Sequence, residues 1–457
     1  MMSHEKKPTL VIIGGGGSAL SLAWLLDGKY QILMFEKEAY LGGHAISFPI
    51  EYNHSQSNFD LLFSAFSNNY LLFTSLLKIL KIKKEKQKIS FNWIHQDLQE
   101  RYPLPFSLSH FLSCTNKRKY LKLGLRLKLF LNYAAKLDSY HVTIEDLANQ
   151  HEIFNDEQFK EEFLYPFLAL PLNLVKKDYK KLSAKFLYEL LDFEGFNNTI
   201  QFQWYKIQGG ASEYIKTLSQ NLKNTTIYTS TKITSVKKMD GKYHIYAGET
   251  CYQADHLVLA TNANCISQFM SEDFNDLISI SSKITYRCNT VFIYTDASPL
   301  PADPKKWALY NEFFSTKNET IPVLFWIGKT KELPIFATAR APDNFIDESK
   351  IFPHTRVTAC HPVMNPSAME AREALSAIQG KDNLWIIGNY MSGVTFHESC
   401  LQSALAVAQK LNPDSNNIKL LKKNVSKWHF CDVWKIPFNE MVKALPNAWL
   451  AKMSNLF

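Results

Sequence analysis

Gly14-Gly15-Gly16-Gly17-Ser18-Ala19, Glu36 and Gly42-Gly43-His44 are the residues of this chain whose types and spacing most clearly carry chemistry. The first six fit G-x-G-x-x-A, and the acid follows Gly14 by 22 residues. Gly14 permits a tight strand-to-helix turn, Gly16 lets a pyrophosphate approach the backbone, and Ala19 is small enough for a helix to pack on a sheet. The helix that follows the motif would aim free N–H groups and a partial positive charge at phosphate oxygens, with Gly17 and Ser18 among the cofactor contacts. Glu36 is placed to accept from ribose hydroxyls, with Lys37 beside it. A second glycine turn at Gly42 and Gly43, with His44, favours FAD over NAD, because it lets the backbone reach the flavin side of the cofactor.

Those residues need a strand, a helix and a second strand to hold them. Val11-Ile12-Ile13 is short, apolar and bounded by glycine, which predicts a buried parallel strand. Residues 20–26 continue as helix and 31–35 as the next strand. From about 75 to 200 the pattern predicts mainly helix. Thr143 caps a start there, residues 156–168 and 179–191 carry helical spacing, and 121–131 alternates like a strand but keeps a helical stripe of Lys119, Lys122 and Arg126. Strand signals return at 226–228, 233–237, 243–247 and 256–261, with a helix at 212–222. Residues 284–295 and 323–327 also predict sheet. Leu384-Trp385-Ile386-Ile387-Gly388 predicts a last short strand, followed by a helix over 398–411. The expected fold is α/β: a Rossmann-like FAD-binding domain (parallel sheet, helices and a small antiparallel sheet) interleaved with a mixed-sheet plus helical substrate domain. The expected boundaries are 1–75, 205–265 and 376–411 for the first, 76–204 and 266–375 for the second, and 412–457 for a tail.

At 457 residues the chain exceeds one ordinary core. Its seven cysteines are scattered without a C-x-x-C pair, which argues against a disulfide framework or a zinc site and for a reducing compartment. No secretory signal and no run of 18 apolar residues is present, so a cytoplasmic protein without a transmembrane helix is expected. The net charge of +8 is uneven. Residues 78–136 hold fourteen Lys and Arg against three acids, so the rest of the chain is net acidic. Cations interleaved with leucine across 71–136 suit an anionic membrane surface, giving peripheral contact with the inner membrane face; a solvated face on packed helices is the equal alternative. Nothing resembles a nucleic-acid module, and no metal is expected.

The chain resembles the flavin amine oxidase superfamily, which includes phytoene-desaturase-like and protoporphyrinogen-oxidase-like enzymes. Within it the chain is most similar to bacterial FAD-dependent, amine-oxidase-like oxidoreductases. The resemblance runs from Val11 to about Leu411. It rests on Glu36 with Leu41-Gly42-Gly43-His44, on Trp204 to Ser212 with its double glycine, and on Leu257-Val258-Leu259-Ala260-Thr261. Trp307 with Asn311, His361-Pro362-Val363, and Gly388-Asn389-Tyr390 with Phe396-His397-Glu398 and Leu401-Gln402-Ser403 complete it. It implies that Gly388, Asn389, Phe396, His397, Glu398 and Leu401 line the flavin, that the helix beginning near Glu398 aims its positive end at the flavin N1/O2 edge, and that Ile233 contacts adenine through its backbone. The sequence departs from the pattern at Tyr40, Ala19, Asn389, Thr395, Cys400 and the glycine-less Asp60-Leu61-Leu62.

Hydride transfer to a flavin asks little of side chains beyond orientation, and no catalytic acid–base pair is legible. His397 is the best-placed ring near the flavin, with His361 and Trp307 as weaker candidates for the substrate wall. The aromatic, basic helical insert suggests an apolar lipid or fatty-acyl substrate. The alternatives are a soluble amine (polyamine) oxidase and a flavin-binding protein without turnover in a structural or interaction role. A nicotinamide-dependent reductase is disfavoured, since no second glycine unit is visible.

Overall fold

A five-stranded parallel sheet holds the amino-terminal motif. Its order is Thr225–Tyr228, Gln31–Phe35, Thr9–Ile13, His256–Leu259, Leu384–Ile386, with Val11 opposite both Leu33 and Leu257. The computed structural model describes residues 7–96, 100–104, 114, 116–194, 203–315, 317–328 and 334–432. Thr9–Ile13 is apolar on both faces because both faces are covered. Leu10 and Ile12 pack with Leu20 and Trp24 of the Gly17–Leu25 helix, while Val11 and Ile13 pack on the other side with Phe35, Ile233 and Tyr243. A small antiparallel sheet of Ser235–Met239, Lys242–Ala247 and Thr250–Ala254 contributes Tyr243 and Ile245 to that second face. Ile233, expected inside a strand, precedes it.

The second large sheet has seven strands in the order Val357–Pro362, Tyr286–Tyr294, Phe336–Ala339, Val323–Trp326, Tyr310–Phe314, Phe91–His95, Glu100–Leu104. All its pairings are antiparallel except Tyr310–Phe314 with Phe91–His95. The expectation of a mainly helical 75–200 therefore needs correction: Lys84–Gln87, Phe91–His95 and Glu100–Leu104 are strands. Lys84–Gln87 pairs with Trp204–Ile207 and Phe91–His95 with Tyr310–Phe314, both far along the chain, while Glu100–Leu104 pairs with the neighbouring Phe91–His95; strand preference is set by such partners more than by local composition.

The remaining helices follow the sequence more closely. Lys117–Ala134 is one helix, capped by the Asn116 side chain accepting from the Lys119 N–H. It buries Tyr120, Leu123, Leu127, Phe130 and Leu131 in the core. Among its cations, Lys119 pairs with Glu162 at 2.6 Å and Arg126 with Asp156 at 2.5 Å. Thr143 and Asp146 form a capping box on Ile144–Gln150. Residues 156–168 are not one regular helix: a π turn at Lys160–Leu164 precedes Tyr165–Leu172. Pro166 has no N–H to give the carbonyl four residues back, so the ladder widens there. Residues 179–191 also divide, into Lys176–Lys181 and Ala184–Phe193, with Ser183 capping the second.

Cys288 and Cys360 form a disulfide, directly opposite each other on Tyr286–Tyr294 and Val357–Pro362. The sequence argues against a disulfide framework and does not anticipate this bridge. Strand register brings the two sulfurs together across 72 residues, and no spacing motif signals it. Among the described residues no helix is long and apolar enough to cross a membrane, and no cluster of three or more His, Cys, Asp and Glu is placed to hold a metal.

Asn416–Asp432 is helical, and the segment leading into it packs on the body. Asn412, Ser415 and Asn417 donate to the carbonyls of Leu26, Leu25 and Trp24 at 2.9, 2.5 and 2.7 Å. They cap the carboxyl end of the Gly17–Leu25 helix. The tail beyond residue 432 lies outside the described residues, as do 97–99, 105–113 and 115 of the basic insert.

Candidate active site

The strand-to-helix turn is built for close approach. Gly14 has φ +111°, and a Cβ there would stand 2.5 Å from the Ala260 carbonyl oxygen, so glycine is required. The space over Gly16 is open, with nothing within 4 Å of a Cβ built on it. The Gly17–Leu25 helix begins without a side-chain cap and without an acid in its first turn, leaving its positive end for a ligand. Ser18 and Ala19 are buried in that turn. Glu36 accepts from the Gly15 N–H at 2.7 Å through Oε2 and from the Glu38 N–H at 2.9 Å through Oε1, which fixes its carboxylate beside the turn. The Gly42 N–H donates to the Gly15 carbonyl at 2.9 Å and ties the second glycine turn to the first. Gly43 lies beside Gly16. Lys37 instead extends to solvent and pairs with Glu38 at 3.4 Å.

The late motif arrives at the same place. Gly388 ends the Leu384–Ile386 strand, and its N–H donates to Ser403 Oγ at 3.1 Å. Asn389 closes the loop by donating to the Thr395 carbonyl at 2.8 Å. Phe396 then begins His397–Leu411, again without a side-chain cap. A Cβ on Gly17 would stand 3.0 Å from His397 Cε1, so the positive ends of the two helices abut. Leu401 is buried in the same core as Ala19 and Leu20. Ile233 is buried beside the second strand, where the Thr231 N–H donates to the Glu36 carbonyl at 2.8 Å.

Glu398 departs from its expected place. Its carboxylate accepts from the Leu72 and Phe73 N–H groups at 2.7 and 2.9 Å, capping the Leu71–Ile79 helix. Burial pushes its pKa up to about 7 against those amides. His397 stacks on Phe63 at 4.2 Å and shares a 2.5 Å hydrogen bond with the Tyr214 hydroxyl. Burial, with the neighbouring His44, lowers His397 to about 3, so the ring is neutral.

Phe396 and His397 face an inner chamber of about 170 Å³. Leu61, Leu62, Phe63, Ile89, Phe91, Val291, Phe325 and Ile327 give it apolar walls. Tyr70, Asn173, Glu194, Tyr310, Arg340 and His361 supply its polar groups. An outer chamber of about 430 Å³ shares Asp60, Ser64, Tyr310, Phe325 and Ile327 with it and reaches Gln87 and Lys206. His361 lies 5.2 Å from His44 ring to ring, and burial, with the His44 and Arg340 charges, lowers it to about 3. Arg340 donates to the Leu174 carbonyl and the Tyr179 hydroxyl, both at 2.8 Å, and lies 3.5 Å from Glu312. Asp60 Oδ1 accepts from the Ser47 hydroxyl and the Ala211 N–H at 2.6 and 2.7 Å, clipping the double-glycine segment to the Gly42 turn.

The sequence reading thus placed the glycine turns, Glu36, His44, His361 and His397 in one region. Trp307 falls elsewhere, packed on Trp326 and Phe336 with its Nε1–H on the Pro301 carbonyl. Tyr70, Asn173, Glu194, Tyr214, Tyr310 and Arg340 were missed. Glu194 alone carried a signal: it follows Leu187, Leu190 and Leu191 at helical spacing, an acid on an apolar face.

Comparisons with known proteins agree with this geometry. Residues 12–80 match the model of the NAD(P)-binding Rossmann-like domain family. A search of curated proteins finds no match. Among solved structures, the chain is similar to a CLA-producing fatty acid isomerase from P. acnes (17% identity, TM-score 0.63, covering 89% of this chain and 99% of that one). It is also similar to putrescine oxidase bound to putrescine (11%, 0.60, 88% and 98%). Cyclohexylamine oxidase from Brevibacterium oxydans gives 14%, 0.56, 89% and 99%. The chain therefore shares its fold with these oxidases and the isomerase.

Proposed function

We propose that this protein is an FAD-dependent oxidoreductase that accepts a hydride from a small molecule with an apolar body, of the lipid or fatty-acyl kind. The observation that carries this reading is the meeting of two uncapped helix starts at Gly17 and His397, the second of them facing the inner chamber. The residues present fit the cofactor: the open backbone of Gly16 and the uncapped first helix suit a pyrophosphate, and the fixed Glu36 carboxylate suits a ribose. In this reading Gly14, Gly16, Gly17, Ser18, Ala19 and Glu36 hold the adenosine pyrophosphate. Gly42, Gly43, His44, Gly388 and the start of His397–Leu411 hold the flavin, within the unit 1–75, 205–265 and 376–411. Bound FAD supplies a two-electron acceptor. The chain's own part is to orient the donor between apolar walls, to exclude water, and to stabilise charge near the His397–Leu411 helix start.

A second reading, oxidation of an amine, is favoured by two buried acceptor atoms in the chamber that have no partner among the described residues, Glu194 Oε2 and Asn173 Oδ1. The absorption spectrum of the purified protein tests the cofactor, and anaerobic mixing with oleate, benzylamine and putrescine separates the readings. Bleaching by oleate supports the acyl reading, and bleaching by an amine supports the second. A yellow protein that none of them bleaches supports a binding role without turnover. A colourless protein that takes up no FAD overturns all three.

A cytoplasmic protein in peripheral contact with an anionic membrane surface is part of the proposal, and the contact is electrostatic. The apolar face of Lys117–Ala134 is occupied by the core, whereas Lys78, Lys81, Lys83, Lys86 and Lys88 are exposed. Sedimentation with anionic liposomes is expected at low salt and is lost near 0.5 M salt, where the Debye length falls to a few ångströms, about 4 Å. Reversing Lys81, Lys83, Lys86 and Lys88 to Glu should abolish it. Binding that survives both changes would contradict the electrostatic contact.

A further inference from the structure

Removing a hydride from a C–H bond leaves a second hydrogen that must depart as a proton, and the inner chamber offers few groups to take it. His361 and His397 are poor acceptors, since their burial holds both rings neutral down to about pH 3. Asp60 Oδ1 is taken by Ser47 and Ala211. Glu194 differs from all of these. It is 4% exposed, its Oε1 accepts from the Tyr70 hydroxyl at 2.7 Å, and its Oε2 is buried with no hydrogen-bond partner among the described residues.

Tyr70 also fixes where that carboxyl stands. It leads into the Leu71–Ile79 helix, whose first N–H groups are held by Glu398 of His397–Leu411. A continuous chain of bonds therefore runs from the start of the expected flavin helix, through Glu398 and Tyr70, to Glu194. Buried carboxyls with one unused oxygen carry a large penalty unless something completes them.

We propose that Glu194 Oε2 is the proton acceptor for substrate oxidation in the inner chamber, with Tyr70 as its positioning residue. The inference rests on the FAD-dependent reading. The donor loses two electrons and two hydrogens: one leaves with the electron pair as hydride to the flavin, and the other passes as a proton to Glu194. A C=C or C=N bond forms in the donor, and the carboxylate becomes a neutral acid. Burial, against the Tyr70 hydrogen bond, pushes Glu194 up to about 8, so the rate should rise with pH and level off above that value.

The test is anaerobic flavin reduction by oleate, benzylamine and putrescine in the wild type, Glu194→Gln, Glu194→Asp and Tyr70→Phe, with flavin content measured first. Glu194→Gln should keep its flavin spectrum, slow reduction by about 100-fold or more, and lose the rise with pH. Glu194→Asp should recover part of the rate. Tyr70→Phe should move the midpoint of the pH profile upward, because the lost hydrogen bond favoured the ionised form. Equal rates in wild type and Glu194→Gln, or an unmoved profile in Tyr70→Phe, would overturn the inference while leaving the oxidoreductase standing. A wild-type flavin that no donor reduces would overturn both, and the missing bleaching would identify the reading at fault.

Discussion

At the scale of single residues, backbone angles give two positions beside the candidate site opposite requirements. Thr395 sits at φ +64°, buried, immediately before Phe396 and His397. A β-branched residue in the left-handed region is strained by about 1–3 kcal/mol. Thr395→Gly should therefore raise stability by about 1 kcal/mol despite the added freedom of the unfolded chain, as read by denaturant unfolding. A loss of stability would show that Thr395 is not strained there. Gly210 has the opposite requirement: φ is +96°, and a Cβ would meet Ser47 Oγ at 2.6 Å. The glycines and Glu36 were legible because each is demanded by backbone geometry that recurs at fixed spacing. Glu194 was not read as a site residue, because its meaning depends on Tyr70, 124 residues away. The acid among Leu187, Leu190 and Leu191 was visible, but its partner was not.

Elements were legible in proportion to how local their causes are. Thr9–Ile13 and His256–Leu259 read as buried strands because both faces are covered and the sequence is apolar throughout. Lys117–Ala134 read as a helix because its polar stripe is local. Lys84–Gln87 was unreadable: it is polar and short, and its existence depends on pairing with the distant Trp204–Ile207. The carboxyl end of Gly17–Leu25 was equally hidden, since its caps come from Asn412, Ser415 and Asn417, nearly four hundred residues later. That cap is testable. Ser415→Ala strands a buried carbonyl at Leu25 and should cost about 1–3 kcal/mol, lowering the thermal midpoint. Because the change is at the far end of the helix from Gly17, the shape of the flavin spectrum should not move. A spectral change without a stability change would mean that the tail acts on the cofactor site instead.

For the molecule as a whole, buried ionisable groups set how stability follows pH. Burial raises four carboxyls in the folded state: Asp60 to about 6, Glu398 to about 7, and Glu194 and Glu312 to about 8. The folded protein keeps these protons where the unfolded chain has released them. Their contribution is therefore complete below their ordinary values, 3.8 for Asp and 4.5 for Glu, and is lost as pH rises through 6 to 8. His361 and His397 act in the other direction. The unfolded chain protonates them near 6.5, the folded protein only near 3, so their contribution is present above 6.5 and is lost as pH falls toward 3. Four carboxyls outnumber two imidazoles, so the carboxyl trend already dominates above 4.5, and the thermal midpoint should be highest near about pH 4.5 and fall by several degrees toward about pH 8.5. Glu312 permits a check on the cause, because it lies outside the inner chamber, buried between the Trp93 Nε1–H at 3.0 Å and Arg340 at 3.5 Å. Glu312→Gln should change little below about pH 4.5, where the side chain is neutral in the folded and unfolded chain alike, and should raise the midpoint increasingly toward about pH 8.5, where the native carboxyl must ionise in a dry site. If the variant instead loses stability only at the alkaline end, the Arg340 charge outweighs desolvation, and Glu312 is an ionised partner of that guanidinium throughout the neutral range.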